Sequence, residues 1–148
     1  LAEQPLEVEF AIWFHDAIYD PRANDNEERS AALAQEVARV IGLADGFGAR
    51  VADLVLASKH TADPQGMDAE ILVDVDLAIL GASENLFDAY EAGIRKEYHF
   101  VPKMIFRVKR AQILKAFLDR KTIYSKAHFR EKYEKRAREN IKRSLARL

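Results

Sequence analysis

A chain of 148 residues, 49% hydrophobic and 32% charged, is long enough to bury one sizeable core and has a globular composition. It has no cysteine, which excludes disulfides, zinc–thiolate sites and thiol nucleophiles and fits a cytoplasmic setting. No run approaches the roughly 20 apolar residues of a membrane span, and the formal net charge of −1 divides into +7 on residues 121–148 (ten Lys or Arg against three Glu) and −8 on the rest.

Residues 1–14 carry three glutamates and no basic start, so no secretory leader is expected there. The chain begins with Leu1 rather than Met, so a fragment of a longer encoded protein is expected. Leu6, Val8, Phe10, Ala11, Phe14 and Ile18 suit a first helix. "DPRANDNEER" is a loop, because Asp20-Pro21 breaks the helix and Asn24, Asp25 and Asn26 offer turn and cap chemistry. A second helix starts near Asp25 or Asn26, takes Glu27 and Glu28 into its first turn, runs through Ala31, Leu33, Val37, Val40 and Ile41, and closes at Gly42. "ADGFGARVADLVLASKHT" predicts a third helix, with Val51, Leu54, Val55 and Ala57 on one face and His60 at its end.

"AEILVDVDLAILGA" contains a strand-like "ILVDV", but its apolar residues extend over more than ten positions before Gly81, which favours a buried helix. Residues 84–98, 103–119 and 127–147 predict three more helices. In the last, Phe129, Tyr133, Ala137, Ile141 and Leu145 recur every four residues. Its basic residues read as a solvated face, with Glu131, Glu134 and Glu139 three to four residues from Lys135, Arg138 and Arg143. The expected architecture is all-α, one domain over residues 1–148, with six or more helices.

Burying a polar group costs several kcal/mol, on the order of 2–7, unless it is paired or ligates a metal. His15, Asp16, Asp74 and Asp76 all stand in runs that read as core, and His60 ends an apolar helix. Each alone has an ordinary explanation: a hydrogen-bonded core histidine, an ion pair with an arginine, a carboxylate at a helix start. Together they place imidazole or carboxylate groups in three separate apolar segments. One divalent cation accounts for the set, and this donor mixture suits Mn, Fe, Mg, Co, Ni or Zn. Neighbours on a helix point about 100° apart, so His15 and Asp16 can share an ion lying between their two directions.

The "FHD" of residues 14–16 together with "VDVDLAILGA" resembles the HD superfamily of metal-dependent phosphohydrolases. "PLEVEFAIWFHDAIYDPRANDNEERSA", "DVDLAILGA", "IRKEY" and "FLDRKTIY" extend that likeness over most of the chain, toward a bacterial subgroup of predicted phosphohydrolases. The resemblance implies an HD-like helical bundle and His15 and Asp16 as metal ligands, with Asp76 as the distal ligand and Asp74 the alternative. It implies for His60 the place of an extra histidine serving a second metal or phosphate. Asn26 stands where many such enzymes have another metal-binding His, which argues for one metal. The family's first His lies upstream of the doublet, and no His precedes residue 15. It is expected on a helix before Leu1, so this chain is expected to bind metal more weakly than the whole protein.

The implied activity is hydrolysis of a phosphomonoester, with a nucleotide as one candidate, aided by a cation that neutralises phosphoryl charge and acidifies bound water. Asp16 then serves as ligand and base-side partner. His60 or Lys59 meets the phosphate. Arg95 and Arg110 are candidate phosphate forks, with a surface ion pair the stronger expectation for Arg110. Tyr19, Asp20, Arg22 and the 20–29 loop form the rim. The alternative reading is a non-catalytic metal- or nucleotide-binding regulatory domain. The expected partner is a small phosphorylated substrate; a membrane is not expected, and a homo-oligomer is left open. Nucleic acid ranks last, because no base-reading motif is present and the aromatic residues are scattered.

Overall fold

The computed structural model describes residues 2–44 and 46–148, and among them there are helices and no strands. The helices are α1 (Pro5–Phe14), α2 (Asn26–Val40), α3 (Phe47–Ala57), α4 (Met67–Asp76), α5 (Glu84–Glu97), α6 (Lys103–Asp119), α7 (Ala127–Phe129) and α8 (Lys135–Arg147). A 3-10 turn, Leu77–Gly81, follows α4, and a π-helical segment, Arg130–Glu134, joins α7 to α8. The chain divides into two compact units, Leu1–Asp76 and Leu77–Leu148. No helix among the described residues is long and apolar enough to cross a membrane.

In the first unit, four helices bury small and branched residues against one another: Val8 and Ala11 from α1, Ala31 and Ala34 from α2, Val51 and Val55 from α3, Leu72 from α4. Alanine at the shared positions lets helix backbones approach closely, and α3 packs mainly on α2 and α1. Pro5 opens α1, where its missing N–H costs nothing. Asp68 from α4 accepts the backbone N–H groups of Glu3 (2.7 Å) and Gln4 (2.9 Å), tying the segment before α1 to another helix. Arg50 of α3 donates through Nε to the buried Glu7 at 2.8 Å.

The first helix is shorter than its apolar run predicts. It ends at Phe14, and Trp13, although it stands in the apolar run, is 77% exposed. His15 caps the helix and Asp16 lies in the turn beyond it. The chain cannot continue as helix because Ile18 is held elsewhere. Its N–H donates to Ser30 Oγ (3.0 Å), and Ser30 Oγ donates to its carbonyl (3.2 Å).

In the second unit Phe87, Leu114, Tyr124, Ala137 and Ile141 are buried. Tyr124 donates its hydroxyl to Leu77 O at 3.0 Å, and Asn140 donates to Leu80 O and Ala82 O at 2.9 and 3.0 Å. Gly81 is required by close packing: a Cβ there would lie 2.6 Å from Tyr133 Cβ and 2.8 Å from its carbonyl oxygen. The basic face of the last helix is only partly the row of local pairs expected. Glu134 and Arg138 pair at 2.7 Å, but Arg143 reaches across to Glu84 (2.6 Å) and Asp88 (2.7 Å) on α5. A guanidinium that finds two carboxylates on a neighbouring helix gains more than one beside a single exposed glutamate.

Candidate functional site

The end of α1 brings His15 and Asp16 to the last residue of α4, Asp76. His15 Nε2 lies 3.5 Å from Asp76 Oδ1 and 3.6 Å from Asp16 Oδ2. His60, three residues beyond α3, places its Nε2 2.8 Å from Asp76 Oδ2. All four residues belong to the first unit. Asp76 is thus approached by an imidazole at each oxygen. Asp74 is fully buried, and two positions along a helix rotate a side chain by about 200°. Of the two aspartates left open by the sequence, Asp76 is the one beside His15.

His15 is oriented from behind. Its Nδ1–H donates to Ile12 O at 2.7 Å, one turn back, which turns Nε2 toward the carboxylates. A metal-bound histidine donates its other ring N–H to a carbonyl in the same way. The Asp76 carboxylate raises the His15 pKa to about 9; burial opposes this, while the Ile12 carbonyl and Asp16 add to it. Burial pushes the Asp76 carboxyl up, but the imidazoles of His15 and His60 outweigh it and leave it at about 2. His60 holds its position with a left-handed backbone, φ 53°, a conformation uncommon outside glycine, though histidine adopts it more often than most side chains, as asparagine and aspartate do. Backbone strain of this kind costs on the order of 1–3 kcal/mol and concentrates where a side chain must be aimed.

Ligands about 2.1 Å from a shared ion stand roughly 3–3.5 Å from one another. The distances from His15 Nε2 to the two carboxylates are close to that range. Nitrogen with carboxylate oxygen is a donor set that suits a divalent ion. Even so, among the described residues no group of three or more His, Cys, Asp or Glu is arranged so that it could hold a metal ion. The side chains match a divalent ion in donor type, and as placed they do not form a metal-holding group. Asp16 is the loosest of them, with a side chain 67% exposed rather than buried as its sequence setting suggests.

The other expected site residues are already engaged. Lys59, one position before His60, forms an ion pair with Glu28 of α2. Asn26 exchanges hydrogen bonds with the backbone of Asp20 (2.9 Å each), holding the loop after the doublet. Arg95 and Arg110 belong to the second unit. Arg95 donates to Tyr98 O (2.9 Å) and Val101 O (3.1 Å) and lies over Phe106. Arg110 is not a surface charge: it is 8% exposed and paired with Glu91, nineteen residues away. Ser30, which clamps the segment after the doublet, was not distinguishable in sequence from any other helix serine. A cleft of about 590 Å³ in the first unit has Glu3, Glu7, Asp53, Asp63 and Asp68 in its walls and Arg50 as its cation; none of the four clustered residues lines it. That acidic lining repels phosphate.

No family model, no curated protein and no solved structure matches this chain.

Proposed function

We propose that the chain is a metal-dependent phosphohydrolase of the HD type, acting on a small phosphomonoester, with a nucleotide as one candidate. The observation that carries this reading is the approach of Asp16 and Asp76 to one imidazole nitrogen of His15, at 3.6 and 3.5 Å, with that imidazole oriented by Ile12 O. His15, Asp16 and Asp76 would hold a divalent cation, with positions left over for water and substrate. The bound cation would supply Lewis acidity toward the phosphoryl oxygens and a more acidic water.

The chain's own groups divide the remaining work. Asp76 anchors, because its geometry is set by His60 at the oxygen that does not face His15. Asp16 is exposed enough to accept a hydrogen bond from an incoming water and draw off its proton. His60 acts chiefly as a positioning residue through Asp76. Lys59 reaches substrate phosphate only by leaving Glu28. This reading gives no part to Arg95 and Arg110, which belong to the second unit, Arg110 being buried in its pair with Glu91.

A second reading is a non-catalytic metal- or nucleotide-binding regulatory domain, and the exposure of Asp16, which leaves the expected base-side carboxylate without a fixed position, favours it. The two readings are separated by testing phosphorylated metabolites with Mn, Co, Ni, Mg, Fe and Zn in turn, each against an EDTA blank. The enzyme reading expects turnover that EDTA abolishes and that Asp16→Ala lowers at least 100-fold while the protein stays folded, the scale of a lost acid–base group. Metal bound without turnover of any substrate supports the regulatory reading. Neither metal nor turnover leaves His15, Asp76 and His60 as a structural ion-pair cluster.

A further inference from the structure

The second unit contains a groove of about 320 Å³ where α5, the start of α6 and the end of α8 meet. Its charged lining is Arg95, Lys103, Arg107 and Arg147 against Asp88, Glu91 and the α-carboxylate of Leu148. Both side-chain carboxylates are already occupied. Asp88 accepts from Arg143 at 2.7 Å and from Arg147 at 2.9 Å. Glu91 accepts from Arg110 Nε at 3.2 Å and from Ser144 Oγ at 2.8 Å. Arg95 is held by two backbone carbonyls and the Phe106 ring, which fix the guanidinium without neutralising its charge.

Lys103 and Arg107 stand one turn apart on α6, both exposed, and make no ion pair among the described residues. The first turn of α6 has no acidic residue and no side-chain cap, so its helix dipole adds positive potential at the same end. Three cations that pair with no Asp or Glu side chain among the described residues therefore line one concave space, and outnumber the Leu148 carboxylate there. Guanidinium groups match two-oxygen anions and lysine adds a point charge. We infer that the α5–α6–α8 groove is a binding site for a phosphate-bearing small molecule, in which Lys103, Arg107 and Arg95 take the phosphoryl oxygens.

The test is titration of the whole chain with inorganic phosphate, pyrophosphate and a nucleoside monophosphate, by calorimetry and thermal melting, in EDTA throughout so that no metal centre can report. Citrate and sodium chloride at matched ionic strength are the comparison arms. The expected result is saturable binding of at least one phosphate compound, with a Kd below about 1 mM, weakened at least ten-fold in Lys103→Ala/Arg107→Ala. Both side chains are exposed, so that variant should fold; Lys109→Ala/Lys115→Ala, exposed on the same helix and outside the groove, removes the same charge and should leave binding intact. Pyrophosphate binding alone, or nucleotide binding alone, tells whether free phosphates or an organic phosphate is the source. Three results overturn the inference: no saturable binding, equal loss in the two double variants, or citrate or chloride reproducing the whole effect.

Discussion

His60 Nε2 meets Asp76 Oδ2 at 2.8 Å across sixteen residues of chain, and it does so from a left-handed backbone. The strain and the contact belong together: relieving the first would re-aim the second. His60→Gly removes both the ring and the backbone penalty, whereas His60→Ala removes the ring alone. Urea denaturation should therefore find the glycine variant about 1 kcal/mol more stable than the alanine variant. In the proposed metal centre both should bind cation about 10–100-fold more weakly than wild type, since Asp76 loses its orienting partner. Equal stability of the two variants would show that the backbone at residue 60 relaxes freely.

Stability should depend on pH through the His15–Asp76 pair, with two separate limits. The His15 pKa rises from 6.5 to about 9, so its contribution is complete below pH 6.5 and is lost as pH climbs through 9. The Asp76 pKa falls from 3.8 to about 2, so its contribution is complete above pH 3.8 and is lost as pH drops through 2. The His15–Asp76 contact enters both shifts and is counted once, while His60 contributes only to the second; allowing for partial exposure, the His15–Asp76 contact is worth about 2 kcal/mol. Metal-free wild type should lose about that much relative to Asp76→Asn between pH 6.5 and 9.5. Parallel curves for the two proteins would refute the coupling.

Cation binding, if it occurs at His15, must displace the proton that Asp76 keeps there. Below pH 9 the imidazole is mostly charged, so metal affinity should rise close to tenfold per pH unit from 7 to 8.5 and level off above 9. Calorimetry in buffers of different ionisation enthalpy should count about one proton released per ion at pH 7. A pH-independent affinity would mean that the ion binds elsewhere.

Ser30 is buried and serves both backbone groups of Ile18. Ser30→Ala should cost about 1–3 kcal/mol, because the Ile18 N–H is left without its acceptor. The segment carrying Asp16 should also loosen, which hydrogen exchange at Ala17–Ile18 would detect as faster exchange than in wild type. Unchanged exchange would leave the clamp without consequence for the doublet.

Gly81→Ala should be among the most damaging single-methyl additions, destabilising by about 2 kcal/mol or more. The new Cβ would meet Tyr133 at backbone and Cβ, which cannot swing away as a side-chain tip can. Thermal melting of this variant beside Gly93→Ala, where nothing lies within 4 Å, gives the comparison.

Helix content was legible because its signals are local. The helix α6 spans Lys103–Asp119, as expected for residues 103–119. The helix α2 begins at Asn26, one of the two starts that Asp25 and Asn26 offer, with Glu27 and Glu28 in its first turn. The end of α1 was not legible, because "AIWFHDAI" is apolar on both sides of the doublet while the helix stops where Ser30, twelve residues away, takes Ile18. The close approach of Gly81 and Tyr133 and the burial of Arg110 against Glu91 depend in the same way on partners far along the chain. Within the cluster, residue types pointed to His15, Asp16 and Asp76, and the structure brings these together. The left-handed backbone of His60 has only a weak signature in residue type, since histidine shares a modest preference for that region and glycine is what such a position ordinarily advertises.

Trp13 is the chain's single tryptophan and stands two residues before His15 with most of its indole in water. Its fluorescence therefore comes from one place, the tip of α1, with no other indole to obscure it. Emission should be red-shifted and readily quenched by iodide in the folded protein. A paramagnetic ion such as Co or Ni held by His15 would sit within energy-transfer range and dim it, while Mg or Zn would not. The same light signal would then report occupancy of the metal centre in real time, without label or substrate.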